Sequence, residues 1–286
     1  MIPDIQAFFD EQTFTVTYLV SDPQSRMAAI IDPVLDYDPK SARTSAKSAD
    51  SVLAAAKAKD LSLEWVLETH AHADHLSAAA YLKGLTGAKI AIGEHIVQVQ
   101  KTFAPIFNAG DVAGDGTPFD RLLKDGDVLA VGGLRIEVLH TPGHTPACVS
   151  YRIEGNVFVG DTLFMPDYGT ARTDFPGGNA RDLFRSIKRI LSLPPQTILW
   201  MCHDYKAPGR DHYAWRTTVA EQRASNIHIH DGIGEEQFVA ARQARDKTLA
   251  MPALILPSVQ VNIRAGRMPP HDDNGQVYLK LPVNRL

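Results

Sequence analysis

The stretch Thr69-His70-Ala71-His72-Ala73-Asp74-His75 places three imidazoles and one carboxylate within six consecutive positions. The apolar run Trp65-Val66-Leu67 precedes it, and a run rich in small residues follows at 76–82. This order predicts a buried strand, a polar turn and the start of a helix, with the polar turn at the carboxyl end of the strand, where open α/β sheets place their ligands. Several imidazoles and a carboxylate on one turn are typical of a metal site. The alternative is a polar loop with chance histidines, and four potential ligands in six positions argue against it.

Three later strand ends repeat this design. An apolar segment at 134–139 runs into His140-Thr141-Pro142-Gly143-His144, one at 157–159 runs into Gly160-Asp161-Thr162, and one at 197–201 runs into Cys202-His203-Asp204. The glycines permit tight turns that bring His144 and Asp161 toward a common point. Each signal alone is weak, because a Gly-Asp pair after a strand is more often an ordinary turn. Together with the first stretch, they predict one metal centre.

Composition restricts the class of protein. The 286 residues are 44% hydrophobic and 22% charged, with a net charge of −4, which is typical of one large globular domain. No basic run indicates nucleic-acid binding, and no apolar stretch is long enough to span a membrane. The first residues lack a secretory pattern, and Cys148 and Cys202 do not make a disulfide framework. We therefore expect a cytoplasmic protein that binds neither nucleic acid nor a membrane.

The hydrophobic pattern alternates strand and helix along the chain. It predicts strands at 14–20, 28–32, 61–69, 89–93, 129–131, 134–140, 147–153, 156–159 and 197–201. It predicts helices at 49–59, 94–107, 179–191, 213–225 and 235–250. A loop is expected at 40–48, and an irregular tail from 251. Two β-rich halves with helices outside predict a four-layer αββα sandwich.

Taken together, these motifs resemble the metallo-β-lactamase superfamily. All seven ligand positions of that family are present over residues 13–205: His70, His72, Asp74, His75, His144, Asp161 and His203. The resemblance implies an α/β fold, the four-layer metallo-β-lactamase sandwich with a C-terminal extension. The catalytic domain would occupy residues 1–230, and residues 231–286 would form a helix and irregular extension packed on it. In dinuclear members, one metal is held by His70, His72 and His144. The second is held by Asp74, His75 and His203, with Asp161 bridging.

The segments 160–164, 169–175 and 202–205 are similar to the persulfide dioxygenase branch, the relatives of the ethylmalonic encephalopathy protein, in its bacterial form. That branch carries one iron, and its ligands map onto His70, His144 and Asp161. Two histidines and one carboxylate form the facial triad of non-heme Fe(II) oxygenases. The resemblance implies one Fe(II) per chain and the oxidation of glutathione persulfide with O2 to sulfite and glutathione. The other four residues would orient the ligands and hold water near the iron: His72, Asp74, His75 and His203.

Two further residues are candidates for binding glutathione. Arg172 and Tyr205 match a basic residue and a tyrosine that contact glutathione in glyoxalase II, a relative in the same superfamily. A guanidinium suits this role because it donates two parallel hydrogen bonds to a carboxylate. The structural alternatives are an ion pair between Arg172 and Asp174, and a core position for Tyr205.

Two other functions occur on this fold, and they match the pattern to different degrees. A dinuclear zinc thiolester hydrolase of the glyoxalase II type uses the same seven ligands, so Zn²⁺ is the alternative cofactor. The segment 169–175 and the tail favour the dioxygenase over this hydrolase. A non-catalytic scaffold on this fold would lack ligands, and this chain lacks none. We therefore expect an iron-dependent oxidoreductase. The preferred persulfide and the oligomeric state stay open, with a homodimer as one candidate.

Overall fold

The computed structural model describes residues 2–285, and the first half of the chain forms a six-stranded sheet flanked by helices. The strands of this half are β1 (Asp4–Asp10), β2 (Thr15–Ser21), β3 (Met27–Ile31), β4 (Val34–Asp38), β5 (Arg43–Ser45), β6 (Ser62–Leu67), β7 (Leu76–Ser77), β8 (Lys89–Gly93) and β9 (Arg121–Leu123). Its helices are α1 (Lys47–Ala58), α2 (Ala79–Thr86) and α3 (Ile96–Ile106). The large sheet has the order β1-β2-β3-β6-β8-β9, and β5-β4-β7 form a small separate sheet.

The second half forms another six-stranded sheet. Its strands are β10 (Val128–Val131), β11 (Leu134–His140), β12 (Val149–Ile153), β13 (Asn156–Phe158), β14 (Ile198–Trp200) and β15 (Arg216–Thr218), and they lie in this order in the sheet. Strands β13 and β14 run parallel, which requires a crossover between them. The helices of this half are α4 (Ala180–Leu191), α5 (Val219–Ser225), α6 (Glu235–Asp246) and α7 (Ile255–Asn262).

The two sheets pack face to face, and their strands bury side chains on both faces. On β2, Val16 and Val20 point into the core between the sheets, while Leu19 joins the core beneath helices α1 to α3. Burial on both faces explains why these strands have nearly continuous apolar runs rather than alternating ones. The Tyr18 hydroxyl donates to the Met201 carbonyl at 2.5 Å and so ties one sheet to the other.

The outer face of the second sheet is covered by helix α4. Leu183, Ile187 and Ile190 form its buried stripe, packed against strand residues of the second sheet. Its start is fixed by Asn179, whose side-chain oxygen accepts from the backbone N–H groups of the first turn. Helices thus lie outside both sheets. This arrangement confirms the predicted four-layer αββα sandwich.

Several element predictions were wrong at the edges of the sheets. The predicted loop at 40–48 contains β5 and the start of α1, and β1 was not predicted. The predicted helix at 213–225 begins as strand β15, because Arg216–Thr218 pairs with β14 along the sheet edge. Thr218 and Glu221 then form a capping box that starts the helix at Val219.

The tail is not wholly irregular. Three apolar residues four positions apart, Ile255, Val259 and Ile263, are buried in the core beneath the helices of the first sheet. This helical spacing explains why the segment forms helix α7. Pro257 is tolerated because it lies in the first turn, where a backbone N–H has no partner inside the helix. Helix α6 packs on α4, and α7 packs on α3 and β7. The division of the chain at residue 230 stays a prediction. Within residues 2–285, no helix has the length and apolar character needed to cross a membrane.

Candidate metal centre

The predicted ligands converge at the edge between the two sheets. Each follows the end of a strand: the first cluster follows β6, and later ligands follow β11, β13 and β14. The ligand atoms of His70, His144 and Asp161 lie within 4.8 Å of one another. Asp161 Oδ2 is 3.8 Å from His70 Nε2 and 3.6 Å from His144 Nε2. These three side chains therefore surround one point.

A second group lies next to the first. His72, Asp74, His75 and His203 also offer atoms within 4.8 Å of one another. His203 Nε2 lies 3.3 Å from Asp74 Oδ2 and 3.4 Å from Asp161 Oδ1, so Asp161 stands between the two groups. The structure brings all seven predicted residues together.

Buried atoms without partners mark this place as a cation site. Within residues 2–285, five atoms of the seven residues are buried and accept or donate no hydrogen bond: His70 Nε2, His72 Nδ1, His75 Nε2, Asp161 Oδ1 and His203 Nε2. An unpaired buried polar atom costs about 1–3 kcal/mol. One or two metal ions would accept lone pairs of this kind, so the residues present fit a metal.

Two of the histidines are fixed in the tautomer that a metal requires. His144 Nδ1 donates to the Arg172 carbonyl at 2.8 Å, which leaves its Nε2 lone pair free. Thr69 Oγ1 donates to Asp32 at 2.8 Å and therefore accepts from His70 Nδ1 at 3.0 Å. Burial lowers the pKa of His70 well below its usual range. The neutral imidazole needed for ligation is thus favoured.

The sequence analysis missed Asp32, which supports the ligand loop from behind. Its carboxylate accepts from the Thr69 backbone N–H at 2.7 Å and from His72 Nε2 at 3.0 Å. The second carboxylate near His72 belongs to Glu68, 3.4 Å from the same nitrogen. Burial alone would lower the pKa of His72, but Asp32 and Glu68 outweigh it and raise that pKa well above its usual range. The available signal was an aspartate directly after a buried strand, the same design as at Asp161.

The centre opens into a cavity of about 580 Å³, within the range of small-molecule sites. Its wall includes the aromatic residues Phe14, Phe164, Tyr168, Phe175 and Tyr205. The Tyr205 ring stacks on His203 with centroids 5.6 Å apart, so this tyrosine connects the cavity with the metal centre. Burial raises the pKa of Tyr205 well above its usual range and keeps the hydroxyl protonated.

Three arginines line the cavity, and two of them are already paired. Arg172 donates to both oxygens of Asp174, at 2.6 and 2.7 Å, so the ion pair considered as the structural alternative is present. Arg242 pairs with Asp246. Arg245 lines the same cavity, is exposed, and makes no ion pair within residues 2–285. It lies on α6, outside the segment that carried the resemblance, and the sequence analysis missed it.

Known proteins with similar sequences identify the family of this chain. Residues 11–203 match the family model of the metallo-beta-lactamase superfamily. The chain belongs to this superfamily. It is 55% identical to a probable metallo-hydrolase of Burkholderia pseudomallei over 99% of both chains. It is 50% identical to Glyoxylase B2 of Dictyostelium discoideum, over 99% of this chain and 97% of that protein. It spans 65% of the length of the beta-lactamase hydrolase-like protein of Xylella fastidiosa, to which it is 50% identical.

A solved structure supports the narrower resemblance. The crystal structure of ETHE1 from Myxococcus xanthus superposes with a TM-score of 0.75 and 32% identity, covering 93% of this chain and all of that one. The metallo-β-lactamase family and its fold are therefore as the sequence predicted, and the binding of a metal by the seven clustered residues stays a prediction. The family match ends at His203. Tyr205, Arg245 and the whole of α7 lie beyond it.

Proposed function

We propose that this protein is a non-heme Fe(II) persulfide dioxygenase that converts glutathione persulfide, O2 and water into glutathione and sulfite. The observation that carries the proposal is the grouping of two histidines and one aspartate, His70, His144 and Asp161, around one point. This is the ligand set of Fe(II) oxygenases. His72 lies in two other groups, one with Asp74, His75 and His203 and one with Asp32 and Cys202. The likeness to ETHE1 of Myxococcus xanthus supports the same assignment.

The reaction balances as a four-electron exchange. The outer sulfur of the persulfide loses four electrons and becomes sulfite, O2 gains them, and water supplies the third oxygen while the sulfur–sulfur bond breaks. Fe(II) held by the triad supplies the redox chemistry with O2 that Zn²⁺ lacks. The chain supplies orientation and exclusion of water. His144 is held by the Arg172 carbonyl, and the Phe175 ring lies 5.2 Å from the His144 ring.

The cavity suits a substrate with an apolar reacting end and an anionic far end. Phe164 and Phe175 lie on the wall that also includes Asp161, and Arg245 adds a cation that has no carboxylate partner within residues 2–285. Glutathione carries two carboxylates, and a charge-assisted hydrogen bond to one of them contributes about 1.5–3 kcal/mol. We assign Arg245 to a carboxylate and Tyr205 to the peptide backbone near the metal. Arg172 is assigned to the same anionic end, in competition with its bond to Asp174.

A dinuclear zinc thiolester hydrolase is the second candidate. The unpartnered atoms extend beyond the triad to His72, His75 and His203. In the dinuclear arrangement His72 would join His70 and His144 at one ion, and His75 and His203 would hold a second ion beside Asp74. The 50% identity to Glyoxylase B2 favours this reading as well. In this case Asp161, which stands between the two groups, would bridge the two ions.

Metal reconstitution separates the two functions. Metal-free protein is loaded anaerobically with Fe(II) or with Zn²⁺, and each form is assayed with glutathione persulfide and with a glutathione thiolester. We expect O2 uptake with matching sulfite release in the iron form, with about one iron per chain, and little thiolester hydrolysis in either form. Two zincs per chain, thiolester hydrolysis in the zinc form and no O2 uptake in the iron form would replace the dioxygenase with the hydrolase. Asp161→Asn is the inactive control for both substrates.

A further inference from the structure

Helix α7 is hydrogen-bonded to the loop of predicted metal ligands through the side chain of Asn262. The Asn262 amide nitrogen donates to the carbonyls of His72 and His75, each at 2.8 Å. Its amide oxygen accepts from the backbone N–H of Ser77, also at 2.8 Å. All four residues are buried, with 4% or less of their surface exposed. One amide thus satisfies three backbone groups along the turn that carries four of the seven ligands.

Asparagine is chemically matched to this place. Two carbonyls require two N–H donors, and one backbone N–H requires an acceptor on the same short side chain. An aspartate offers no donor, and an alanine offers neither donor nor acceptor. Either change would leave buried backbone groups without hydrogen-bond partners, and the turn would then move to restore hydrogen bonds to these groups.

Neighbouring contacts fix the distance between α7 and the loop. Gly266 has φ +80°, and a Cβ added there would stand 2.8 Å from the Ser77 carbonyl oxygen, so the backbones approach more closely than a side chain allows. Gln100 donates to the Ile263 carbonyl at 2.9 Å, and Arg264 pairs with Asp111 at 2.6 Å. The segment 263–266, which directly follows Asn262, is therefore anchored at three positions.

We propose that Asn262 is a positioning residue for the metal centre, which holds the His72–His75 turn in the shape that metal binding requires. It is not among the residues that line the cavity, and its side chain is hydrogen-bonded to backbone groups of the loop, so its effect passes through the backbone of the turn. The inference does not depend on which metal or which reaction the centre supports.

A matched control lies on the same helix. Gln260 is also buried, donates to the carbonyls of Leu256 and Lys280, and accepts from the Lys280 N–H. It therefore makes two donor contacts and one acceptor contact, as Asn262 does, but toward the tail. Gln260→Glu and Asn262→Asp remove the same number of donors from α7, and only the second change faces the ligand loop.

The experiment measures the dissociation constants of Fe(II) and of Zn²⁺ for the metal-free protein, by competition with a chelator, in wild type and both variants. We expect Asn262→Asp to weaken binding of both metals about tenfold or more, the effect found for groups that orient ligands. Gln260→Glu should stay within twofold of wild type. Hydrogen exchange at the amides of residues 72–77 should accelerate in Asn262→Asp, because the His72 and His75 carbonyls lose their donor, and should not accelerate in Gln260→Glu.

Two results would overturn the inference: equal losses of metal affinity in both variants, or a loss below twofold in Asn262→Asp together with faster exchange at residues 72–77. Thermal unfolding of the metal-free proteins accompanies the binding data, because a general loss of stability lowers both melting temperatures. Asn262→Ala adds no charge and takes the place of Asn262→Asp if the latter does not fold. The same tenfold criterion applies to it.

Discussion

Replacing Asp32 by asparagine tests how the ligand loop is held from behind. The carboxylate accepts from the Thr69 backbone N–H, the Thr69 hydroxyl and His72 Nε2. Asparagine keeps the size but presents one acceptor and one NH2 group. If the amide oxygen keeps the hydrogen bonds from Thr69, the NH2 group faces His72 Nε2. His72 can then carry its proton only on Nδ1, the nitrogen that faces the candidate metal centre.

The magnitude follows from the lost charge-assisted bond. Such a bond contributes about 1.5–3 kcal/mol, so we expect Asp32→Asn to lower the free energy of unfolding of the metal-free protein by about 2 kcal/mol at pH 7. His72 holds the pKa of Asp32 below its usual range despite burial. A carboxyl whose pKa is lowered by folding stabilises the fold at any pH above its pKa in the unfolded chain. That stability is lost as the pH falls through its pKa in the folded protein. The difference in unfolding free energy between wild type and Asp32→Asn should therefore shrink below about pH 4, near the pKa of an aspartate in an unfolded chain. Metal affinity should fall about tenfold or more, because the carboxylate also orients Thr69, whose hydroxyl accepts from His70 Nδ1.

Urea unfolding measures the free energy of unfolding, and competition with a chelator measures the metal affinity. Asp36→Asn is the control, because Asp36 accepts from the backbone N–H and hydroxyl of Ser48 at the start of α1, away from the centre. It should lose about 1 kcal/mol of stability and no metal affinity. Unchanged metal affinity in Asp32→Asn, or an equal loss in Asp36→Asn, would refute the support assigned to Asp32.

Three further predictions concern the centre and its cavity. Asp161→Asn should lose bound iron while its circular dichroism spectrum stays native, whereas His203→Ala should keep most of its iron if one ion is held; plasma emission analysis of both variants decides this. Arg245→Ala should raise KM for glutathione persulfide about tenfold with a smaller fall in kcat, since one charge-assisted contact is removed. Arg172→Ala should also raise KM, and an unchanged KM in steady-state assays would remove that residue from the site. Burial, then Arg242 and Arg245, lower the pKa of His228 to about 4. The neutral ring therefore stabilises the fold above pH 6.5, and roughly 2 kcal/mol of stability should disappear between pH 6.5 and 4 and be absent in His228→Asn, as measured by urea unfolding.

The clustering of the candidate ligands was predictable because each lies in a short local motif. His70, His144 and Asp161 all follow apolar strands, and their turn residues are visible in the sequence. The supporting residues depend on contacts that no local pattern contains. Asp32 meets His72 from 40 positions away, and Asn262 meets it from 190 positions away. A single asparagine near the end of an apolar helix carries no signal of such a partner.

The errors in the fold have a similar origin. Strand β15 has three residues and exists through its pairing with β14, so its own sequence favours the helix that follows. Helix α7 had a usable signal in the spacing of Ile255, Val259 and Ile263, and Pro257 obscured it. For Arg172 the sequence left two partners open. The guanidinium is bonded to Asp174, and binding of substrate to the same group stays a prediction.

The bond between Asn262 and the His72 carbonyl has a consequence for the order of folding. Closing a loop of 190 residues is entropically costly, and contacts of such separation form late. The centre also needs Asp161 and His203, which follow strands of the other sheet. The metal site is therefore complete only when both sheets and the last helix have met. Metal uptake in this protein should report the end of folding and not initiate it, and in a refolding experiment it should lag behind the formation of the two sheets.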